Sequence, residues 1–315
     1  MGRLVLAHQG RRLQPLEHHD LLLHGLLDRA GRRGGGPLHH HGGRGELRHD
    51  PAARRGAHQA PAQHVIVCRG VAKRFGAQAV LDGVDFDVRD GETVCLLGPS
   101  GTGKSVMLKT IIGLIKADAG SIVVDGREVT TLSFKELSAV RRRIGYVFQY
   151  GALFDSISVL ENIRLGITDE ALFKDLGYVR QRARECLELV NLDPDVARKF
   201  PAELSGGMKK RVGIARAIAG KPKYLLWDEP TSGLDPINAD IIDALVKRMD
   251  RELDTTSVVV THDVRGAFRV ADRLALLMNG RIIMQGTQEA FLASDLPEVR
   301  AFLERDFGAT ATHVA

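Results

Sequence analysis

Two stretches of the chain carry side chains whose types and spacing suit phosphate chemistry. The first is Gly98-Pro99-Ser100-Gly101-Thr102-Gly103-Lys104-Ser105, which follows an apolar segment at 93–97 and precedes a helical pattern. Glycines placed between a strand and a helix let successive backbone N–H groups curl around phosphate oxygens. The helix that opens through Ser105 and Val106 adds its positive end. Lys104 is placed to reach β- and γ-phosphates, and the Ser105 hydroxyl to hold Mg²⁺. A ligand-free Gly-rich turn is the bland reading. Strand, loop and helix nevertheless stand in the order the pattern requires, so the segment predicts binding of a nucleoside triphosphate. The second stretch, Tyr224-Leu-Leu-Trp-Asp228-Glu229, ends an apolar run in two adjacent carboxylates. Asp228, nearer the strand, suits a metal role, and Glu229 suits polarising the attacking water. An apolar strand ending in Asp-Glu is mostly structural when it stands alone. Downstream of a phosphate loop it becomes a companion to it.

The elements that must hold these groups alternate between strand and helix periods. Strand patterns fall at 65–69, 84–88, 93–97, 120–124 (with a turn at Asp125-Gly126), 224–227, 257–261, 273–278 and 281–285. Helical spacing falls at 105–114, 178–189, 213–218 (continuing a helix begun after Gly206-Gly207), 239–252 and 264–271. This alternation predicts an α/β fold, a mainly parallel sheet with helices on both faces. Residues 150–220 read as an inserted helical subdomain. With no internal repeat, the chain supplies one nucleotide-binding unit.

Composition narrows the partners. Residues 1–63 hold ten Arg, no Lys and five acidic residues, whereas 64–315 hold 34 basic and 34 acidic residues. The part that folds is thus near neutral, and the overall excess of base does not argue for nucleic acid. No run approaches the roughly 20 apolar residues needed to cross a bilayer, so a membrane role must come through a partner. Cys68, Cys95 and Cys186 lack CxxC spacing and read as reduced thiols of a cytosolic protein. The first 63 residues, rich in His, Gly and Arg, read as disorder rather than a metal site or a signal peptide. No Met stands between Met1 and Met107. The expectation is a natural start near Val65, with the upstream residues arising from conceptual translation and dispensable to the fold.

Five further motifs occur in order, each weak alone: Phe75 in Lys73-Arg-Phe-Gly76, Gln149 in Tyr146-Val-Phe-Gln149, Leu204-Ser205-Gly206-Gly207-Met208, Ser232-Gly-Leu-Asp235, and His262 in Val260-Thr-His262. A lone His at a strand end or a lone Phe is usually ordinary structure. Together with the two stretches above, they resemble the ATP-binding subunits of ABC transporters over essentially all of 65–290. The resemblance implies a P-loop NTPase domain at 64–290 with an antiparallel β subdomain and a helical insert. It implies two copies sandwiching two ATP molecules, each phosphate loop facing the partner's Ser205-Gly206-Gly207. Phe75 would stack on adenine, His262 would touch the γ-phosphate, Gln149 would sense Mg²⁺ and relay to a membrane permease, and Asp235 would link the two sites. Met208 departs from the Gln usual in the family, at a position that makes no phosphate contact.

The runs from Gln149 to Ile163 and from Leu204 to Ala217, and the tail from Leu296 to Leu303, look like the Mla/Mce-associated ATPases. That branch implies powering of lipid movement between envelope membranes, on the cytoplasmic face of the inner membrane. Its further partners would be a small regulatory subunit and a membrane-anchored lipid-shuttle protein. The alternative is a generic small-solute importer. Chromosome-maintenance ATPases would separate phosphate loop and signature with a long coiled coil, and no heptad run occurs here. Translation-factor relatives would carry two units per chain. A module using ATP only as a switch would not need Glu229. The tail at 291–315, with Phe291, Leu292, Val299, Phe302 and Leu303, reads either as an interaction helix or as a helix docked on its own domain.

Overall fold

The computed structural model describes residues 63–307, so the expectations for 1–62 lie outside the described residues. The described chain opens with a hairpin, β1 (His64–Phe75) and β2 (Gln78–Arg89), and then the buried strand β3 (Thr93–Leu97). The phosphate loop leads into α1 (Lys104–Ile111), followed by β4 (Ala119–Val124), β5 (Arg127–Glu128), α2 (Phe134–Arg141) and β6 (Ile144–Val147). Residues 150–220 contain no strand, only α3 (Val159–Arg164), α4 (Glu170–Lys174), α5 (Leu176–Leu189), α6 (Gly206–Ile218) and short 3₁₀ turns. The remainder alternates: β7 (Tyr224–Asp228), α7 (Pro236–Leu253), β8 (Thr256–Thr261), α8 (Val264–Val270), β9 (Arg273–Met278) and β10 (Arg281–Gly286). It closes with α9 (Gln288–Leu292) and α10 (Pro297–Phe307).

Two sheets result. One is antiparallel, in the order β2-β1-β4-β5; the other runs β10-β9-β3-β8-β7-β6, parallel from β9 to β6 with β10 antiparallel at its edge. Register sets the site. Leu97 lies opposite Thr261, and Asp228 opposite Val260, so β3, β7 and β8 end together. In open α/β sheets the carboxyl ends of the strands are where ligands bind.

The central strands β3, β7 and β8 of the larger sheet are buried on both faces, which explains their continuous apolar runs. Val94, Leu96, Leu226, Val258 and Leu277 pack with Met107 and Leu108 of α1 and Phe86 of the antiparallel sheet. The alternate residues, Cys95, Leu97, Leu225, Trp227 and Val259, pack with helices from both 159–218 and 236–270. The helical middle therefore shares one apolar cluster with the sheet. The three cysteines are buried and free. Burial pushes their thiols up, to about 11 for Cys186, so they act as packing groups rather than nucleophiles.

Two expectations need correction. β1 and β2 each run 12 residues, well beyond 65–69 and 84–88, because register shifts along β1 break the alternation that marks a strand. The helix expected to reach 114 stops at Ile111, where Gly113 follows in the left-handed conformation (φ 62°). Of the two readings of the tail, the packing of the described residues favours the docked helix: Phe291, Val299, Phe302 and Leu303 are buried in the larger core cluster. Of the tail's apolar set only Leu292 remains exposed.

Candidate functional site

The phosphate loop has the backbone its sequence requires. Gly98 (φ 155°) passes so close to β9 that a Cβ would sit 2.3 Å from the Leu277 carbonyl oxygen. Gly103 (φ 101°) caps α1, and a Cβ there would meet the Val80 carbonyl oxygen at 3.0 Å. Thr102 closes the turn by donating its hydroxyl to the Pro99 carbonyl at 2.9 Å. No carboxylate stands in the first turn of α1, so its N-terminal positive end is left for an anion.

Around the loop, polar groups converge. Lys104 is buried (4% exposed), and its ammonium donates to the carbonyls of Gly98 (2.7 Å) and Pro99 (3.1 Å) and pairs with Glu229 Oε1 at 3.2 Å. The other Glu229 oxygen meets His262 Nδ1 at 2.7 Å. That contact has Nδ1–H donating to the carboxylate, which leaves Nε2 for another partner. Glu229 itself sits at φ 47°, a left-handed conformation unusual for a non-glycine residue. Ser105 Oγ donates to Asp228 Oδ1 at 2.5 Å, and the Tyr146 hydroxyl donates to Asp228 Oδ2 at 2.9 Å. The paired serine and aspartate oxygens are hard donors of the kind Mg²⁺ takes alongside substrate phosphates. The glycine cradle and the buried lysine likewise fit a triphosphate.

The remaining candidates lie farther out. Phe75 ends β1 opposite Gln78, and Gln78 lies two residues before the Val80 that leaves no room for a Cβ on Gly103; Phe75 is 44% exposed, with Lys73 Nζ 5.4 Å from its ring centroid. Gln149 is turned to Ser232, donating its amide to that hydroxyl at 3.2 Å rather than to the serine–aspartate pair. Ser205 caps α6, accepting from Met208 N–H at 3.3 Å, and both Ser205 and Gly206 are exposed. Asp235 caps α7 and accepts from Asn238 N–H (3.1 Å) and from the Asn238 side chain (2.6 Å); these bonds hold its carboxyl below its ordinary pKa. Asn238 in turn lies against Gly207. Lys104, Ser105, Asp228, Glu229 and His262 thus form one cluster, with Gln149 and Asp235 on loops beside it and Ser205–Gly207 on an outward helix end.

Three participants escaped the sequence reading. The Tyr146 phenol is raised by burial and by Asp228, which keeps it a neutral donor. Lys210 of α6 donates to the carbonyls of Pro230 (2.9 Å) and Ser232. Arg216, also on α6, grips the carbonyls of Ala152 (2.6 Å) and Gly151 (2.8 Å) just past Gln149. Both cations stand near motifs already noticed, and inward spacing on α6 was the one signal available for them.

Comparison with known proteins fits this geometry. Residues 81–232 match the ABC transporter family. The chain is 40% identical over 252 residues to the probable ribonucleotide transport ATP-binding protein mkl of Mycobacterium leprae, covering 80% of this chain and 72% of that one. It is 42% identical over 244 residues to the methionine import ATP-binding protein MetN of Rhizobium johnstonii (78% and 67%). To the intermembrane phospholipid transport system ATP-binding protein MlaF of Haemophilus influenzae it is 37% identical over 242 residues (77% and 91%). Among solved structures, the dimeric post-hydrolysis state of the ATP-binding cassette MJ0796 bound to ADP and Pi matches with a TM-score of 0.64 at 35% identity, covering 70% of this chain and 98% of that one. The chain belongs to the ABC transporter family, as one of its ATP-hydrolysing cassettes.

Proposed function

We propose that this cassette powers the movement of lipid, of the phospholipid class, as a dimer closed over two ATP molecules and docked on a transmembrane permease. The observation that carries the ATPase half is the contact chain Lys104–Glu229–His262 at the joined ends of β3, β7 and β8. In this reading Lys104 and the loop from Gly98 to Val106 bind the β- and γ-phosphates, and Phe75 stacks on the adenine. Glu229 accepts hydrogen bonding from the attacking water, and His262 orients that carboxylate while its free Nε2 meets the γ-phosphate. Ser105 and Asp228 would hold Mg²⁺, with Gln149 joining from its loop, and the ion would neutralise charge on the phosphates. Ser205, Gly206 and Gly207 would grip the ATP bound to the second copy, with Asp235 linking the two sites. Among the described residues no helix is long and apolar enough to span a membrane. Attachment to the cytoplasmic face of the inner membrane is therefore assigned to the permease. A small regulatory subunit and an anchored lipid shuttle complete the complex in this reading.

The lipid cargo is supported by the likeness to MlaF, of which the chain covers 91%, and by the runs around 149–163 and 204–217. The physical demand is also apt. Extracting an acyl chain costs about 0.8 kcal/mol per CH₂, so a two-chain lipid needs coupled ATP. The likeness to MetN supports a second reading, a small-solute importer. The test is to purify the complex through this subunit, identify its companion chains, and assay ATP-dependent lipid transfer with Glu229→Gln as the blank. Recovery with a soluble binding protein, and ATPase stimulated by an amino acid or nucleotide instead of lipid, would favour the importer.

A further inference from the structure

We propose that Lys210 is a positioning residue for Glu229: from α6 its ammonium clamps the two carbonyls that flank Thr231, and so fixes the turn from which the catalytic carboxylate is aimed. This rests on the reading of Glu229 as the group that polarises water.

The turn needs fixing. Glu229 lies just beyond β7 in a left-handed conformation (φ 47°), which a non-glycine residue keeps only where its surroundings over-determine it. On the backbone, Glu229 N–H donates to the Val260 carbonyl (2.9 Å), and Ser232 N–H closes the turn on the Glu229 carbonyl (3.1 Å). Pro230, between them, has no N–H to contribute. The carbonyls of Pro230 and Ser232 are both taken by Lys210 Nζ. The ammonium thus ties the turn to α6, in addition to the bond that ties it to the sheet.

A structural side chain would not need the charge. Lys210 is 8% exposed, and burying an ammonium costs free energy unless its protons are matched. Burial drives its pKa down to about 8, with the neighbouring negative charge of Glu229 pulling the other way. An apolar residue would fill the space at less cost. The neighbouring Lys209 is only partly buried, so lysine at 210 is not simply part of a solvated basic face.

The clamp also has a direction. α6 begins at Ser205–Gly207, and lower down its Arg216 holds the Gly151 and Ala152 carbonyls of the Gln149 loop. Ser232 receives Lys210 on its carbonyl and Gln149 on its hydroxyl. A shift of α6 is therefore passed to the turn that aims Glu229.

The test is steady-state ATPase kinetics of Lys210→Met and Lys210→Gln in the full chain, with nucleotide affinity and melting measured on the same preparations. Lys210→Met keeps the volume and loses the donors. Its kcat should fall about ten- to a hundredfold, the scale of a misplaced catalytic group, while KM and nucleotide Kd stay within about twofold. Gln reaches one bond less far and can hold one carbonyl, so it should recover part of the loss. Wild-type kcat in Lys210→Met, or equal losses in both variants, would overturn the proposal. If the Met variant does not fold, Lys210→Gln decides alone: reduced kcat at unchanged KM supports the clamp, and wild-type kcat overturns it. Glu229→Gln run alongside separates the two ideas. Turnover there would remove the role of Glu229, whereas a dead Glu229→Gln beside a normal Lys210→Met would remove only the clamp.

Discussion

At the joined ends of β3, β7 and β8 the polar side chains answer one another: Lys104 meets Glu229, Glu229 meets His262, and Ser105 and Tyr146 meet Asp228. At the N-terminus of α6 they do not. Ser205 and Gly206 are exposed, no acidic residue stands in the first turn, and the serine hydroxyl is used only to cap its own helix. At the first end each group is held by another within the chain. The second offers unpaired N–H groups and a positive helix end to something outside the chain. One copy of the protein thus carries a cluster of mutually paired polar groups and, elsewhere, an exposed helix end with no side chain of its own facing it. That asymmetry is what the proposed two-copy sandwich would use.

The sharpest way to break the comparison is at the paired end. Lys104→Ala should abolish ATP binding, measured by equilibrium titration, because it removes the buried cation on which the loop converges. Glu229→Gln should keep binding and lower turnover by about two to four orders of magnitude, the usual scale for a lost general base. Turnover of Glu229→Gln within a few-fold of wild type would show that the carboxylate only anchors Lys104 and His262.

The outward end calls for a different variant. A Cβ on Gly206 meets nothing within 4 Å, so Gly206→Asp should fold, and a carboxylate in the first turn of α6 should even favour the helix. It would repel a γ-phosphate presented from outside. One copy should therefore bind ATP normally, while ATP-dependent dimerisation fails and turnover drops about a hundredfold or more, on the scale of a lost anion-stabilising donor. Normal turnover would show that the helix end faces solvent to no purpose.

The two ends also differ in how they could be read in advance. Gly98–Ser105 and Asp228-Glu229 announce themselves because short apolar strands run straight into them. Their meeting follows from a parallel sheet that ends β3, β7 and β8 together. Tyr146, Lys210 and Arg216 gave no such warning. Each is an ordinary residue for its strand or helix, and each finds its partner between 20 and 82 positions away in sequence. Contacts of that kind arise from packing, which periodicity does not encode. The same limit misjudged β1, where bulges interrupt the alternation, and left the role of the tail undecided.

The tail supplies the mildest test, because it bears on stability more than on either end. α10 lays Val299, Phe302 and Leu303 into the core cluster beside α8, the helix that begins two residues after His262. Fully burying each such side chain is worth about 1.5–3 kcal/mol as an upper estimate. Ordering the helix backbone and side chains offsets much of that gain. A net loss of about 2–3 kcal/mol on truncation before Leu296 is expected, which for a domain of this size lowers Tm by roughly 5–10 °C. Nucleotide affinity should be unchanged, since the described tail helix packs on α8 and β10. Melting at the wild-type temperature, together with loss of a bound partner, would return the tail to the role of interaction helix. A lower Tm with intact ATP binding would show that the polypeptide beyond β10 stabilises the platform on which both ends are mounted.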